Sequence, residues 1–398
     1  LRLLRQMNSN MRLQSTAPFD PGLETDFESF PSVPAVFALF PQNRPEARPD
    51  ITPYLSSTRD LRRRLRRLLE IPSAHTRRLN LRAVTRRIEY QPVGSSFEAQ
   101  WHLFELSRFY DPERFRRRLR LKPPALVKIK LRNRFPRCYP AERLLADGSL
   151  YFGPFPSRAA AERFTGEFLD LFKLRRCVPN LDPDPSHPGC IYSQMKMCLA
   201  PCFKGCTDEK YAEETRRVIA FLDSGGATLD RELAAQRDAA STSLEFEQAA
   251  RAHHKLEKIK EVARLRPPLV KAISSLHAVM LLRGAGEKVV VFFRIVAGEV
   301  HGPASLSLAE NVSSPVPLDQ QIQDLLASLG RSETVGLQPE GEGTPARLPL
   351  PPWEHLSLLA RWYYSSFRTG EIIMLPESQQ IPHSRLIKLF RKVVEGEP

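Results

Sequence analysis

The sequence predicts a multidomain α+β protein: a small α/β domain, a cysteine-rich connector, a helical hairpin and a small C-terminal α/β segment. Three observations predict it. Short apolar strand patterns alternate with amphipathic helix patterns as far as Lys173. Five of the six cysteines crowd between Cys177 and Cys206. Long helical patterns then run from Glu209 to Arg264 before strands resume at Lys288.

A chain of 398 residues holds two to four small domains, each long enough to bury its own core. No apolar run reaches the roughly 18 residues of a membrane span. The basic start, LRLLRQMNSNM, lacks the apolar centre of a signal peptide. A cytoplasmic protein with no membrane partner is expected. Charge is unevenly placed. Before Pro268 there are 47 Lys+Arg against 32 Asp+Glu, and from Pro268 onward 12 against 13. Such a one-sided surplus favours a polyanion partner, DNA above all, through counterion release.

In chain order, residues 1–30 are rich in Pro, Ser and acids and read as a flexible arm. Residues 31–120 form a compact basic block with a strand at Val36–Phe40. Its helix TRDLRRRLRRLLE, Thr58–Glu70, sets Leu61, Leu65, Leu68 and Leu69 on one face. Thr58 or Asp60 is placed to cap it. Arg62, Arg63, Arg66 and Arg67 lie on the other face and are candidate DNA contacts. A second helix, Phe97–Tyr110, stops before Pro112. The connector, 121–206, carries strands at Leu126–Leu131 and Leu150–Phe155 and a helix at Arg158–Lys173. Helices Glu209–Ser224 and Leu229–Arg264 break at Gly225–Gly226 within 207–266. The last segment, 267–398, has a strand at Lys288–Val296, a linker over 332–352, and helices at Trp353–Phe367 and His383–Val394. Neither a phosphate loop nor a dinucleotide glycine pattern is present.

Cys177, Cys190, Cys198, Cys202 and Cys206 are separated by 12, 7, 3 and 3 residues. A reducing compartment argues against disulfides. Thiols this dense, flanked by Arg175, Arg176, Lys196 and Lys204, suit a metal or an iron–sulfur cluster, and spacing alone does not choose between zinc and iron–sulfur. Cys138 stands alone and reads as a core residue.

Three ordered passages now carry a resemblance. DGSLYFGPFPS (Asp147–Ser157), LFKLRRC ending at Cys177, and CIYSQMKMCLAPC (Cys190–Cys202) resemble the segment behind the nuclease domain in the UvrC family, the C component of the excinuclease ABC. SLEFEQAARAHHKLEKIKEV (Ser243–Val262) resembles that family's UVR motif, a helical hairpin that docks on UvrB. The resemblance implies that Cys177, Cys190, Cys198 and Cys202 hold an iron–sulfur cluster, with structural zinc the alternative, and that Cys206 is a spectator. It also implies a UvrB-like partner met by Phe246. On its own terms the motif offers an apolar stripe: Leu244, Phe246, Ala249, Ala250, His253, Leu256, Ile259 and Val262.

Carried upstream, the resemblance makes 31–120 a GIY-YIG nuclease-like domain. Such a site uses two tyrosines, an arginine for phosphate charge and a glutamate for the divalent metal. Tyr54 and Arg64 match the second tyrosine and the arginine. Phe37 stands where the first tyrosine belongs, and Ser56 and Ser57 replace the glycine and lysine after the second. With Glu98–Ala99 and Pro112 as anchors, the metal glutamate falls on Leu103, which cannot bind magnesium; Glu98 and Glu105 are the substitutes if the register differs. The family's second incision centre, an RNase H-like domain, needs a carboxylate cluster. No such text lies between Pro268 and Pro398, so the chain reads as truncated before or within that domain. The expectation is a DNA-binding, UvrB-docking excision-repair protein with impaired or absent incision. The alternatives are an active GIY-YIG-type endonuclease using magnesium for a single incision, and a metal-bearing nucleic-acid module unrelated to repair.

Overall fold

The computed structural model describes residues 13–41, 52–71, 80–178, 181–308, 316–330, 350–376 and 382–395. Most of the linker expected over 332–352 lies outside them. The expected multidomain α+β class is the one adopted, as three antiparallel four-stranded sheets with helices on their faces.

The first sheet has the order β1-β4-β2-β3, with β1 (Ser15–Pro18), β2 (Ala35–Phe40), β3 (Tyr54–Thr58) and β4 (Arg87–Pro92). Six consecutive apolar residues make β2 a strand buried on both faces. Ala35, Phe37 and Leu39 pack on helix α1 (Leu61–Leu69), whose Leu61, Leu65 and Leu69 recur every four residues and are wholly buried. Asp60, not Thr58, caps α1, accepting from Arg63 N at 2.9 Å. A single turn, α2 (Leu81–Val84), leads to β4. The opposite face, with Val36, Ala38 and Phe40, meets α3 (Ser96–Tyr110), and α4 (Phe115–Arg118) follows. The flexible arm expected over 1–30 is corrected here. From Leu13 the chain is part of the fold: β1 pairs with β4, and Leu13, Phe19 and Phe30 are buried. Apolar residues at the edge of an open sheet have more to gain by burial than by remaining solvated. Residues 1–12 lie outside the described residues.

The second sheet, β6-β5-β7-β8, is built from β5 (Ala125–Ile129), β6 (Cys138–Ala141), β7 (Leu150–Phe155) and, much later, β8 (Lys271–Ala272). Between β7 and β8 come α5 (Arg158–Leu169), the short α6 (Ile191–Gln194), α7 (Asp208–Ser224), α8 (Ala227–Thr242) and α9 (Phe246–Arg264). The unbroken helix expected at Leu229–Arg264 is in fact the antiparallel pair α8–α9, turned at Ser243–Glu245. Leu244 takes φ +57° there, a left-handed conformation that lets Glu245 N bond back to Ala240 O at 2.8 Å. One core runs through sheet and hairpin, joining Phe152, Phe155, Phe164 and Phe168 to Phe221, Leu233, Leu256, Ile259 and Val262. Connector and hairpin therefore fold as one body, and β8 returns the chain to β7 beyond residue 266.

The third sheet, β11-β10-β9-β12, consists of β9 (Ala278–Arg283), β10 (Val289–Val296), β11 (Glu299–Ser307) and β12 (Glu371–Met374). One face packs on α10 (Leu318–Gly330) and α12 (His383–Glu395) through Val279, Leu281, Ile322, Leu326 and Phe390. The other packs on α11 (Trp353–Tyr363) and on α3, where Phe97 meets Phe293 edge-on at 5.0 Å. Helix α3 is thus wedged between the first and third sheets. Among the described residues no helix is long and apolar enough to cross a membrane.

Candidate functional site

The cysteine segment is shaped by backbone geometry before any ligand enters. Ala200 and Lys204 both adopt left-handed φ, +57° and +58°, on either side of the Pro201–Phe203 turn. That reversal is costly for residues with a Cβ and persists only where surrounding contacts hold it. Those contacts are Leu199 N to Lys173 O at 3.0 Å, Gly205 N to Ala200 O at 2.9 Å and Asp184 N to Cys202 O at 2.9 Å. In consequence Cys177, Cys190, Cys198 and Cys202 line one small cleft with Arg175, Arg176, Tyr192 and Pro201. Ala200 N–H donates to Cys198 Sγ at 3.3 Å. Burial pushes the Cys198 thiol up to about 11, and raises that of Cys202 as well. Thiols desolvated in this way stay protonated unless a metal cation is present to bind the thiolates. Among the described residues no three His, Cys, Asp or Glu side chains stand close enough to share a single metal ion. Four thiols lining one cleft are the soft donor type that holds either zinc or an iron–sulfur cluster. Cys206 does not line the cleft and packs against the connector core, while Cys138 is buried among Val127, Ile129 and Phe135.

The hairpin divides the expected apolar stripe. Leu256, Ile259 and Val262 are buried together with Ala252, but Ala250 and His253 face solvent. Leu244 and Phe246 stand 71% and 67% exposed at the tip. The inward face follows the helical period through positions 252, 256, 259 and 262, so residues at the turn have no sheet beneath them.

Tyr54 and Arg64 do come together. An Arg64 Nη donates to the Tyr54 hydroxyl at 3.2 Å, and Arg64 Nε is buried without an acceptor among the described residues. Phe37 lies wholly buried with its ring 6.2 Å from that of Tyr54. Leu103 is on the other side of the sheet, packed with Val36, Ala38, Phe40 and Leu55. Glu98 and Glu105 do not replace it. They line a cavity of about 560 Å³ with His102, Gln91, Gly302 and Ser305, between α3 and the β10–β11 hairpin. Among the described residues no carboxylate pairs with Tyr54 or Arg64.

The expected four-arginine DNA face is split. Glu28 grips both Arg62, at 2.7 Å, and Arg66, and Arg62 Nε also donates to Phe30 O at 2.7 Å. Arg63 and Arg67 remain exposed. The correction follows from the folded N-terminal segment, which brings an acid onto the helix.

Glu98 offers a test of the wedge formed by α3. Burial raises its carboxyl to about 7, only partly opposed by the bond accepted from Gly94 N at 2.9 Å. A raised carboxyl binds its proton more tightly folded than unfolded, so its contribution to stability is greatest below about 4.5 and is lost as pH rises toward 7. Glu98→Gln is expected to be more stable than the parent by about 3 kcal/mol at pH 8, and to lose that advantage near pH 4.5. Paired thermal melts across that range check it; an advantage independent of pH would refute the burial of a titrating carboxyl.

Comparison with known proteins bears on the same residues. Residues 126–221 match the UvrC/Cho excinuclease middle domain. UvrABC system protein C of Idiomarina loihiensis is 30% identical over 186 residues, covering 47% of this chain and 30% of that protein. Its counterpart in Desulforudis audaxviator is 27% identical over 283 residues, covering 70% of this chain and 44% of that one. That of Moorella thermoacetica is 35% identical over 136 residues, 34% of this chain and 22% of the relative. The chain spans less than half the length of these relatives. No solved structure matches it. The middle-domain match covers β5 through most of α7, the stretch that includes all the cleft cysteines, and the aligned UvrABC system C proteins extend the similarity over as much as 70% of this chain.

Proposed function

We propose that this protein is a DNA-binding and partner-docking factor of nucleotide excision repair, with incision impaired or absent. The observation that carries the reading is the α8–α9 tip. Leu244 and Phe246 are exposed on a hairpin whose remaining apolar face is buried, and Leu244 sits in a strained left-handed turn. A turn selected for stability alone would place Gly or Asn there and polar side chains around it. An apolar, rigidly presented tip is a docking anchor, and the family resemblance makes a UvrB-like hairpin its partner.

The four-cysteine cleft, reading as an iron–sulfur site, lies in the same body as the hairpin. Structural zinc is the alternative occupant, since both groups take thiolate donors. A bound cluster would lock the loops between Cys177 and Cys202 and stiffen the base from which the hairpin projects. Phe37 and Leu103 support the loss of incision, since neither supplies a hydroxyl or a carboxylate. A second reading, a magnesium-dependent GIY-YIG endonuclease making one cut, draws on the intact Arg64–Tyr54 bond.

Pull-down with a UvrB C-terminal hairpin tests the first reading. Phe246→Ala is expected to weaken capture at least about tenfold, the cost of a typical anchor, while melting close to the parent because the side chain is exposed. Capture that ignores the substitution would reject the docking role. Incision of a lesion-bearing duplex in the presence of UvrA, UvrB and magnesium separates the two readings.

A further inference from the structure

Phe367, in the turn after α11, is 90% exposed, more than any other large apolar residue described. Its surroundings are basic and aromatic. The Arg368 guanidinium lies over the rings of Tyr363, 4.9 Å from the centroid, and Trp362, at 5.5 Å. Arg361, in the last turn of α11, donates to Leu119 O at 3.2 Å and Arg120 O at 2.6 Å, which clamps α11 to the end of α4. Helix α4 and its exit present Arg116, Arg117, Arg118, Arg120 and Lys122 as exposed side chains. Glu354 takes up Arg116 at 2.7 Å. Among the described residues Arg117, Arg120, Lys122 and Arg368 have no carboxylate partner. Arg118 donates to Leu55 O at 2.8 Å, so the same basic run abuts the strand that carries Tyr54.

We propose that this seam binds an unpaired nucleic-acid strand, with a base stacked on Phe367 and phosphates on Arg117, Arg120, Lys122 and Arg368, leading toward Tyr54 and Arg64. An isolated exposed ring flanked by unpaired cations is the arrangement that single strands use, because every base offers a π-face and every link a phosphate. A duplex keeps its base faces stacked and cannot use the ring. An apolar protein partner would gain from Phe367 but would have to bury four uncompensated cations. The proposal rests on the reading of the chain as nucleic-acid-binding, and narrows it to a place and a strand state.

The test uses the full chain, a labelled oligothymidylate and a blunt duplex of equal length, with anisotropy read at two salt concentrations. Phe367→Ala is expected to weaken oligothymidylate binding about ten- to a hundredfold, the effect of losing one stacked base, and to change duplex binding less than about twofold. Phe367→Trp restores it. Arg117→Gln with Arg120→Gln weakens both and, for each phosphate no longer neutralised, lowers the salt slope by about 0.7 on the oligothymidylate and about 0.9 on the duplex. Unchanged oligothymidylate binding by Phe367→Ala overturns the proposal. So does a sedimentation result in which that variant loses only self-association, which assigns the ring to a second copy of this chain. A parent protein that binds neither probe sinks the nucleic-acid reading itself, whereas failure of Phe246→Ala to affect hairpin capture leaves this proposal standing.

Discussion

Cys198→Ser is expected to leave anaerobically purified protein without the iron, sulfide and visible absorption that the proposed cluster would give the parent, and to destabilise the loaded connector by several kcal/mol. Cys198 is half-buried in the cleft shared with Cys177, Cys190 and Cys202, and it receives the Ala200 N–H. Serine keeps the volume but offers a hard, weakly acidic oxygen that does not hold iron in place of a thiolate. Metal analysis, visible spectroscopy and a melt are the readouts. Cys206→Ser serves as the control, because that thiol packs outside the cleft and its removal should leave iron content unchanged. Stoichiometric zinc without iron in the parent would replace the cluster by zinc; iron retained by Cys198→Ser would remove that residue from the ligand set.

Tyr211→Phe should cost about 2–4 kcal/mol, and Tyr211→Ala more, through the added cavity. Tyr211 is wholly buried, edge-on to Phe135 at 5.2 Å. Its hydroxyl donates to Pro136 O at 2.8 Å and accepts from Arg175 N at 3.0 Å. Phenylalanine would leave a carbonyl and an N–H buried without partners, and each such group costs about 1–3 kcal/mol. Arg175 is two residues before Cys177, so the hydroxyl ties helix α7 to the first cleft cysteine. Denaturant melts measure the loss, and occupancy of the proposed cluster should fall in parallel. A variant as stable as the parent would show that water satisfies both groups and that α7 does not brace the cleft.

What the amino-acid sequence determined by itself was local. A four-residue leucine repeat specified α1, an unbroken apolar run specified β2, and Gly225–Gly226 ended α7, because helix period, strand burial and left-handed glycine act over a few residues. The gathering of four cysteines and the hairpin text were equally legible, since the thiols of the cleft and the family resemblance are written in short stretches. The break at Ser243–Glu245 has no glycine to mark it; Leu244 takes the left-handed turn there, with Glu245 N bonded back to Ala240 O at 2.8 Å. Tertiary structure alone decided the rest. It folded the arm onto β4, set Glu28 on two arginines, turned Glu98 and Glu105 away from Tyr54 by wedging α3 between two sheets, and left Phe367 in solvent after a helix that Arg361 clamps to an arginine run about 240 residues earlier. Those outcomes depend on which surfaces meet across the chain, and no local period encodes them.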